Sequence, residues 1–359
     1  MKPETSLRLA VVGDLLFTTP YGSKQSERGL EALAPEIRAL FSRCDLVLAN
    51  LESTLPAEHL IESEPRVLGS PAQFDSLKAA HINLVSLANN HAFDALTAGF
   101  THTKNKLAQL QIRSFGAGVN QKQAQESVSL DINGIRIAFI GAVAPSTGMQ
   151  HFAAPHTPGV AYLDTEAICA NIQHLKQDHH HVILSPHWGD ERYRFPSPEQ
   201  IAQGHAFIDA GATAVLGHHP HVIQGVENYH NGFIAYSLGN FLSNRVFWEN
   251  GDMLTWDRFE RSSQIVMLEL NKKGIAHVEQ IPVFDNGTTV EVERRGRTDK
   301  YLKRADSFIQ SGITATTYAK ESFRVKKILP FKAQLRWSKV RQIRLSHLKK
   351  GLKLLLERH

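Results

Sequence analysis

Cysteine is scarce in this chain. Cys44 and Cys169 are the only two in 359 residues, far apart and without CxxC spacing. Neither a disulfide framework nor a thiolate metal cage can organise it, and a reducing compartment is the default. Long apolar runs are missing too, since none reaches the roughly 18 residues of a membrane span. The opening MKPETSLRLAVVGD enters an apolar strand pattern without the h-region of a signal peptide. The expectation is therefore a cytosolic protein. Internal repeats and low-complexity segments are absent, which leaves an ordinary globular composition.

Acid is what the last stretch lacks. Arg324 to His359 holds twelve Lys and Arg against Glu357 alone, which leaves the remainder with 28 basic and 34 acidic residues, a net of −6. Charge segregated in this way points to a segment that meets an anionic surface. Leu345, Leu348, Leu352 and Leu355 fall at helical spacing, and Trp337, Lys339, Arg341, Arg344, Lys349, Lys350 and Lys353 accompany them. The expectation is a basic amphipathic tail over 324–359, either a terminal helix docked on the domain with its basic side solvated or a helix holding the protein peripherally on the inner, anionic membrane face. The body is acidic and no nucleic-acid motif accompanies the tail, so no nucleic-acid partner is expected.

What the chain has in quantity is alternation. LRLAVVGD, DLVLAN and INLVSLANNH read as strands separated by helical patterns, the signature of crossover units and a largely parallel sheet. VSLDINGIRIAFIGA reads as a hairpin about Asn133-Gly134. HVILSPHWGD and ATAVLGHHPH are later strands, each preceded by a helix, and Gly232 to Val292 is mostly β. This predicts an α/β domain with two sheets over 1–298, a helical connector over 299–323 and the tail beyond.

Polar residues gather where those strands stop. Asp14 ends the first; Asn50 and Glu52 end the second; Asn89, Asn90, His91 and Asp94 follow the third. His187 ends a later strand, and GHHPHVIQGVE places His218, His219 and His221 after another. Ligands of open α/β sheets collect outside the carboxyl ends of the strands. Taken singly, a Gly-Asp after a strand reads as a turn, and Asn90 or Asp94 as a helix cap. Together they offer carboxylate, amide and imidazole without thiolate, which suits Mn, Fe or Zn. His219 and His221 are expected as ligands and His218 behind them, because alternate residues of an extended segment share a side. His179, His180 and His181 read as a helix-to-strand connection instead.

The series GDLL, NLES, NNHAFD, GAG, HWGDERY, GHHPHVIQGVE and YSLGNF resembles the CapA-type capsule and poly-γ-glutamate biosynthesis proteins of bacteria, within the calcineurin-like metallophosphoesterase superfamily. The resemblance implies a four-layer α/β/β/α sandwich with two mixed sheets and two divalent metal ions at the strand ends. Carried over by position, it makes Asp14, Asn90, His187, His219 and His221 metal ligands, with His91 serving near the leaving group; Asp94, three residues after His91, either orients it or caps the helix that follows. Asn50, Asn89 and His218 become supporting residues. Leu16 stands where the superfamily usually has a histidine, and Glu52 or Asn50 stands in for its bridging aspartate. The activity implied is metal-dependent phosphoester hydrolysis in the making of an anionic surface polymer, with a phosphoester or anionic polymer as substrate and other polymer-synthesis subunits as partners. The alternative is a catalytically weak metal-binding scaffold subunit.

Overall fold

The computed structural model describes residues 6–334, and the chain divides into two compact units, Met1–Ser311 and Gly312–His359. The first is organised by strand Leu7–Leu15, whose successive side chains point to opposite faces. Leu7, Leu9 and Val11 enter one apolar layer while Ala10 and Val12 enter another. The strand pairs in parallel with Leu46–Leu51 and antiparallel with Ser262–Asn271. Leu84–Ser86 and Arg113–Phe115 extend the sheet on one side; Gly274–Asp285 and Val290–Val292 extend it on the other. Asn240–Leu242 joins the end of the first strand in parallel.

The second sheet runs, in spatial order, Val226–Tyr229, Gly232–Ala235, Ala214–Leu216, His181–His187, Ile135–Val143 and Val128–Ile132. Its last two strands are the hairpin expected at Asn133-Gly134, both of which have positive φ as a tight two-residue turn requires. Both sheets are mixed. Their facing sides share one core, in which Leu9, Val11 and Leu48 meet Ile137, Phe139 and Ile183.

Helices cover the outer faces. Pro71–Ala79 starts at a capping box of Ser70 and Gln73, and Pro198–Asp209 at one of Ser197 and Gln200, with proline at the first helical position in each. Phe74, Leu77, Phe100 and Leu107 bury the Pro71–Ala79 and Leu96–Gln109 helices on the first sheet. Ile168, Ile172 and Phe207 bury Thr165–Leu175 and Pro198–Asp209 on the second. Each such side chain contributes about 1.5–3 kcal/mol of transfer free energy. The layers are therefore α/β/β/α, as the resemblance implied. A further helix, Arg297–Ser311, belongs to the first unit: the Val226 N–H donates to Asp306 at 2.9 Å, and Leu302 and Ala305 are buried.

In the second unit the described residues form helix Ala315–Phe323, capped by Thr314, a π turn at Arg324–Ile328 and helix Leu329–Gln334. The leucine and lysine stripe from Trp337 to Leu355 lies outside the described residues. No helix among the described residues is long and apolar enough to cross a membrane.

Candidate metal centre

Parallel strands of both sheets bring their carboxyl ends to one place. Asp14 is the penultimate residue of Leu7–Leu15, and a Cβ on the preceding Gly13 would lie 1.8 Å from the Gly239 carbonyl oxygen. That close approach sets Asn240 opposite Asp14 in register. Glu52 follows Leu46–Leu51, and Asn89 to His91 form the turn after Leu84–Ser86. His187 ends His181–His187 and bridges to His218, in the turn after Ala214–Leu216. Within that turn His219 and His221 have φ of 96° and 57°, a left-handed conformation that non-glycine residues adopt at a cost and that clusters at functional sites.

Glu52 lies at the centre, fully buried. Its Oε1 is 3.7 Å from Nε2 of both His187 and His221 and 4.0 Å from Nε2 of His91. Neither of its oxygens has a hydrogen-bond partner, nor does Nδ1 of the buried His219. Three overlapping groups, Glu52 with His187 and His219, Asp14 with Glu52 and His221, and Glu191 with His219 and His221, each hold their ligand atoms within 4.8 Å. Buried charge and unpaired nitrogen are costly unless something of opposite character lies between them. A divalent cation fits this donor set, and its oxygen and imidazole character suits Mn, Fe or Zn.

Amide side chains brace the cluster. Asn50 Nδ2 donates to Asp14 Oδ1 at 2.8 Å, and Asn89 Nδ2 donates to Asn50 Oδ1 at 3.2 Å and to the Leu51 carbonyl at 2.9 Å. Asn89 Oδ1 in turn accepts the His91 N–H at 3.1 Å. Of the two candidates for the bridging position, it is Glu52 that presents unpartnered carboxylate oxygens, while Asn50 turns a donor toward Asp14. Asn90 Oδ1 is 2.8 Å from His187 Nε2. His218 Nδ1 is 3.3 Å from Asp14 Oδ1, beside the ligand set, whereas His219 and His221 enter it. His91 Nδ1 is 2.7 Å from Asp94 Oδ2, which also accepts the Val67 N–H at 2.6 Å. Asp94 is thus an orienting partner of His91, and the following helix has no side-chain cap.

The electrostatics follow from this packing. Burial acts to raise the Asp14 carboxyl, but hydrogen bonds and charge from His218 and His221 outweigh it and hold the group well below the ordinary carboxylate range. Glu52 is pushed up to about 8, chiefly by burial, with Asp14 adding to the rise and His221 opposing it. Burial opposes the charge on His91, yet Asp94 and then Glu52 raise its imidazole to about 9. His221 is raised to about 10, because Glu52 and Asp14 overcome its burial. His219 falls to about 4 and His187 well below its ordinary value, both through burial first.

Three contributors escaped the sequence reading. Glu191 stands at the solvent side of the cluster and belongs to the ligand group of His219 and His221. Asn240 Oδ1 is 2.8 Å from His221 Nδ1, and the Trp256 ring centre is 5.1 Å from that of His221. The first two sit inside HWGDERY and YSLGNF, so their motifs were visible although their roles were not. Trp256 carried no signal. Leu16 packs with Val67 and Val246 and takes no part in the cluster. His179, His180 and His181 bond to their own helix end, to Arg136 and to Asn271 respectively, away from the ligand groups.

Comparison with known proteins settles the kinship of this arrangement. The model of the family described as bacterial capsule synthesis protein PGA_cap matches residues 8–245. The chain belongs to this family. It is 29% identical over 303 residues to the PGA biosynthesis protein CapA of Bacillus subtilis (strain 168), covering 83% of this chain and 77% of that one. It is 27% identical over 286 residues to the capsule biosynthesis protein CapA of Bacillus anthracis, covering 77% and 67%. Among solved structures, a putative 5'-nucleotidase from Staphylococcus aureus is similar at 14% identity and a TM-score of 0.48, covering 84% of this chain and 58% of that one. In this capsule synthesis family member the matched segment holds every residue of the ligand groups, and Trp256 lies beyond it.

Proposed function

We propose that the protein is a metal-dependent phosphoester hydrolase acting in the synthesis of an anionic surface polymer, a capsule or poly-γ-glutamate. One observation carries this reading: a buried set of unpartnered donors around Glu52 lies beside a half-buried histidine built to hold a proton. Asp14, Glu52, Asn90, His187, His219 and His221 would hold the divalent ions, two in number by family resemblance, with Glu191 on the open side. When bound, such ions stabilise charge on phosphoryl oxygens and acidify water.

The chain's own contribution is proton handling and orientation. Asp94 fixes the Nδ1–H tautomer of His91 and keeps the ring protonated to about pH 9. Nε2 is then left as the donor, aimed toward the Glu52 side. A proton delivered from Nε2 to the leaving oxygen is general-acid catalysis, which contributes about 10²–10⁴-fold. The names of the Bacillus relatives support the place of this activity in capsule and PGA biosynthesis. In this reading the basic tail holds the enzyme against an anionic membrane beside other polymer-synthesis subunits.

A screen of small phosphomonoesters and phosphodiesters with Mn- and Zn-loaded protein tests the proposal. Turnover is expected with at least one ester, and His91→Ala should lower it by about 10²–10⁴ with metal content unchanged. A second reading, a metal-binding scaffold without turnover, is favoured by Leu16, whose burial with Val67 and Val246 removes a ligand position common in the superfamily. Bound metal with no ester hydrolysed would select that reading.

A further inference from the structure

The loop that follows His181–His187 carries Glu191 to the metal centre, and its backbone is pinned on both sides of that residue. Gly189, at φ 86°, packs against the capping box of Pro198–Asp209, where a Cβ would lie 2.6 Å from Gln200 Nε2. Further on, Tyr193 and Phe195 are buried, and Gln224 Nε2 donates to the Tyr193 carbonyl at 2.9 Å. Between these anchors Arg192 has φ of 68°. That left-handed conformation is costly for a bulky residue and persists only where its surroundings over-determine it. The Arg192 N–H donates to the Pro220 carbonyl at 2.8 Å. Pro220 sits between His219 and His221, which are left-handed as well, so one hydrogen bond joins the strained loop to the strained histidine turn.

Glu260 supplies the other restraint. It is buried, its Oε1 forms an ion pair with Arg192 Nε, and its Oε2 accepts the Asp257 N–H at 2.7 Å. The Glu260 carbonyl accepts from Asn240 Nδ2 at 3.1 Å, and Asn240 Oδ1 is 2.8 Å from His221 Nδ1. Arg192 and His221 thus lean on one support. Glu191, the residue this support places, differs from the rest of the ligand groups. Asp14, Glu52, His187, His219 and His221 are buried, whereas Glu191 is exposed. Its neighbour in the group, His219, keeps a buried Nδ1 without a partner.

We propose that the centre has two unequal metal positions, and that the Arg192–Glu260 pair is a latch for the outer one, formed by Glu191, His219 and His221. The inner position draws on Asp14, Glu52 and His187, buried side chains at the ends of packed strands. The outer position needs a loop kept in a strained conformation, so its affinity follows whatever keeps that loop in place. Removing the Arg192 charge leaves Glu260 as an uncompensated buried carboxylate. The loop then relaxes and Glu191 withdraws from the two histidines. Arg192 and Glu260 are positioning residues and touch no metal themselves. The inference rests on the reading of this cluster as a metal centre, and on no assumption about hydrolysis.

Titration of the metal-free full-length protein with Mn(II), the free ion being followed by electron paramagnetic resonance, tests the latch beside Glu191→Gln, Arg192→Asn and Glu260→Gln. Asparagine accepts a left-handed φ but cannot make the ion pair. Glu260→Gln serves as the second latch variant should Arg192→Asn fail to fold, because it removes the buried charge and leaves a guanidinium that solvent reaches. The parent should show a tight and a weaker class of site. The weaker class should lose about 10–100-fold in affinity in all three variants, with the tight class unchanged. A single class of site in the parent would overturn the proposal. So would an unchanged weaker class in Glu191→Gln or in a folded latch variant, or an equal loss in both classes. A parent that binds no Mn would sink the metal-centre reading itself, whereas parent-like binding in the latch variants would sink the latch alone.

Discussion

Single residues in this protein are defined by what they lack as much as by what they touch. Glu52 has no donor and His219 Nδ1 no partner, whereas His91 is held by Asp94. Asn90→Ala should weaken metal binding by at least about tenfold, measured by competition with a chelator, while His91→Ala keeps its metal. Were the two results exchanged, the roles assigned to this Asn-His pair would be reversed. Asp94→Asn removes the charge that raises His91, so the alkaline limb of the pH–rate profile should move to lower pH. An unmoved limb would show that the proton donor is another group. Away from the centre, burial lowers His181 to about 4, with its Nε2 2.7 Å from the Asn271 carbonyl. In the unfolded chain the ring titrates near its ordinary 6.5, so between these values the unfolded state binds more protons. The stabilisation is complete above pH 6.5 and is lost as pH falls through 4, on the order of 3 kcal/mol in all. Urea unfolding at pH 7 and pH 4.5 should show this difference, and His181→Gln should reduce it.

At the level of elements, the parallel strands position the site, and their ends are what the sequence made readable. Apolar runs ending in Asp14, Asn50, His187 and Gly217 announced both the strand and its polar terminus, because a buried strand ends where its polar groups first find a use. The Asn133-Gly134 hairpin was legible for a local reason, its turn chemistry. The share of Asn240 was not. It depends on contact between Gly13 and Gly239, which are distant in sequence, and no local pattern encodes such an approach. Glu191 escaped for the opposite reason, since an acid in a turn is too common to single out. Gly13→Ala tests this contact. Its Cβ would meet the Gly239 carbonyl, so the strands must part. Stability should fall by about 1–3 kcal/mol, and metal affinity with it as Asp14 and Asn240 shift. A variant with parent-like stability and metal affinity would show that the approach is not needed.

The whole molecule joins an acidic body to a basic end. The proposal that residues after Pro330 bring it to anionic lipid predicts sedimentation with acidic vesicles, weakening as salt rises and vanishing when that segment is removed. Full-length protein that ignores acidic vesicles at low salt would assign the segment another task. The proposed hydrolysis, however, depends on the cluster around Glu52 being a metal centre. The most direct test is elemental analysis of the full-length protein after incubation with Mn or Zn and removal of excess ion, beside Glu52→Gln and His219→Ala. The account predicts about one to two equivalents of transition metal in the parent protein and a clear loss in both variants. A folded parent that retains none of either metal, or variants that retain as much as the parent, would contradict it.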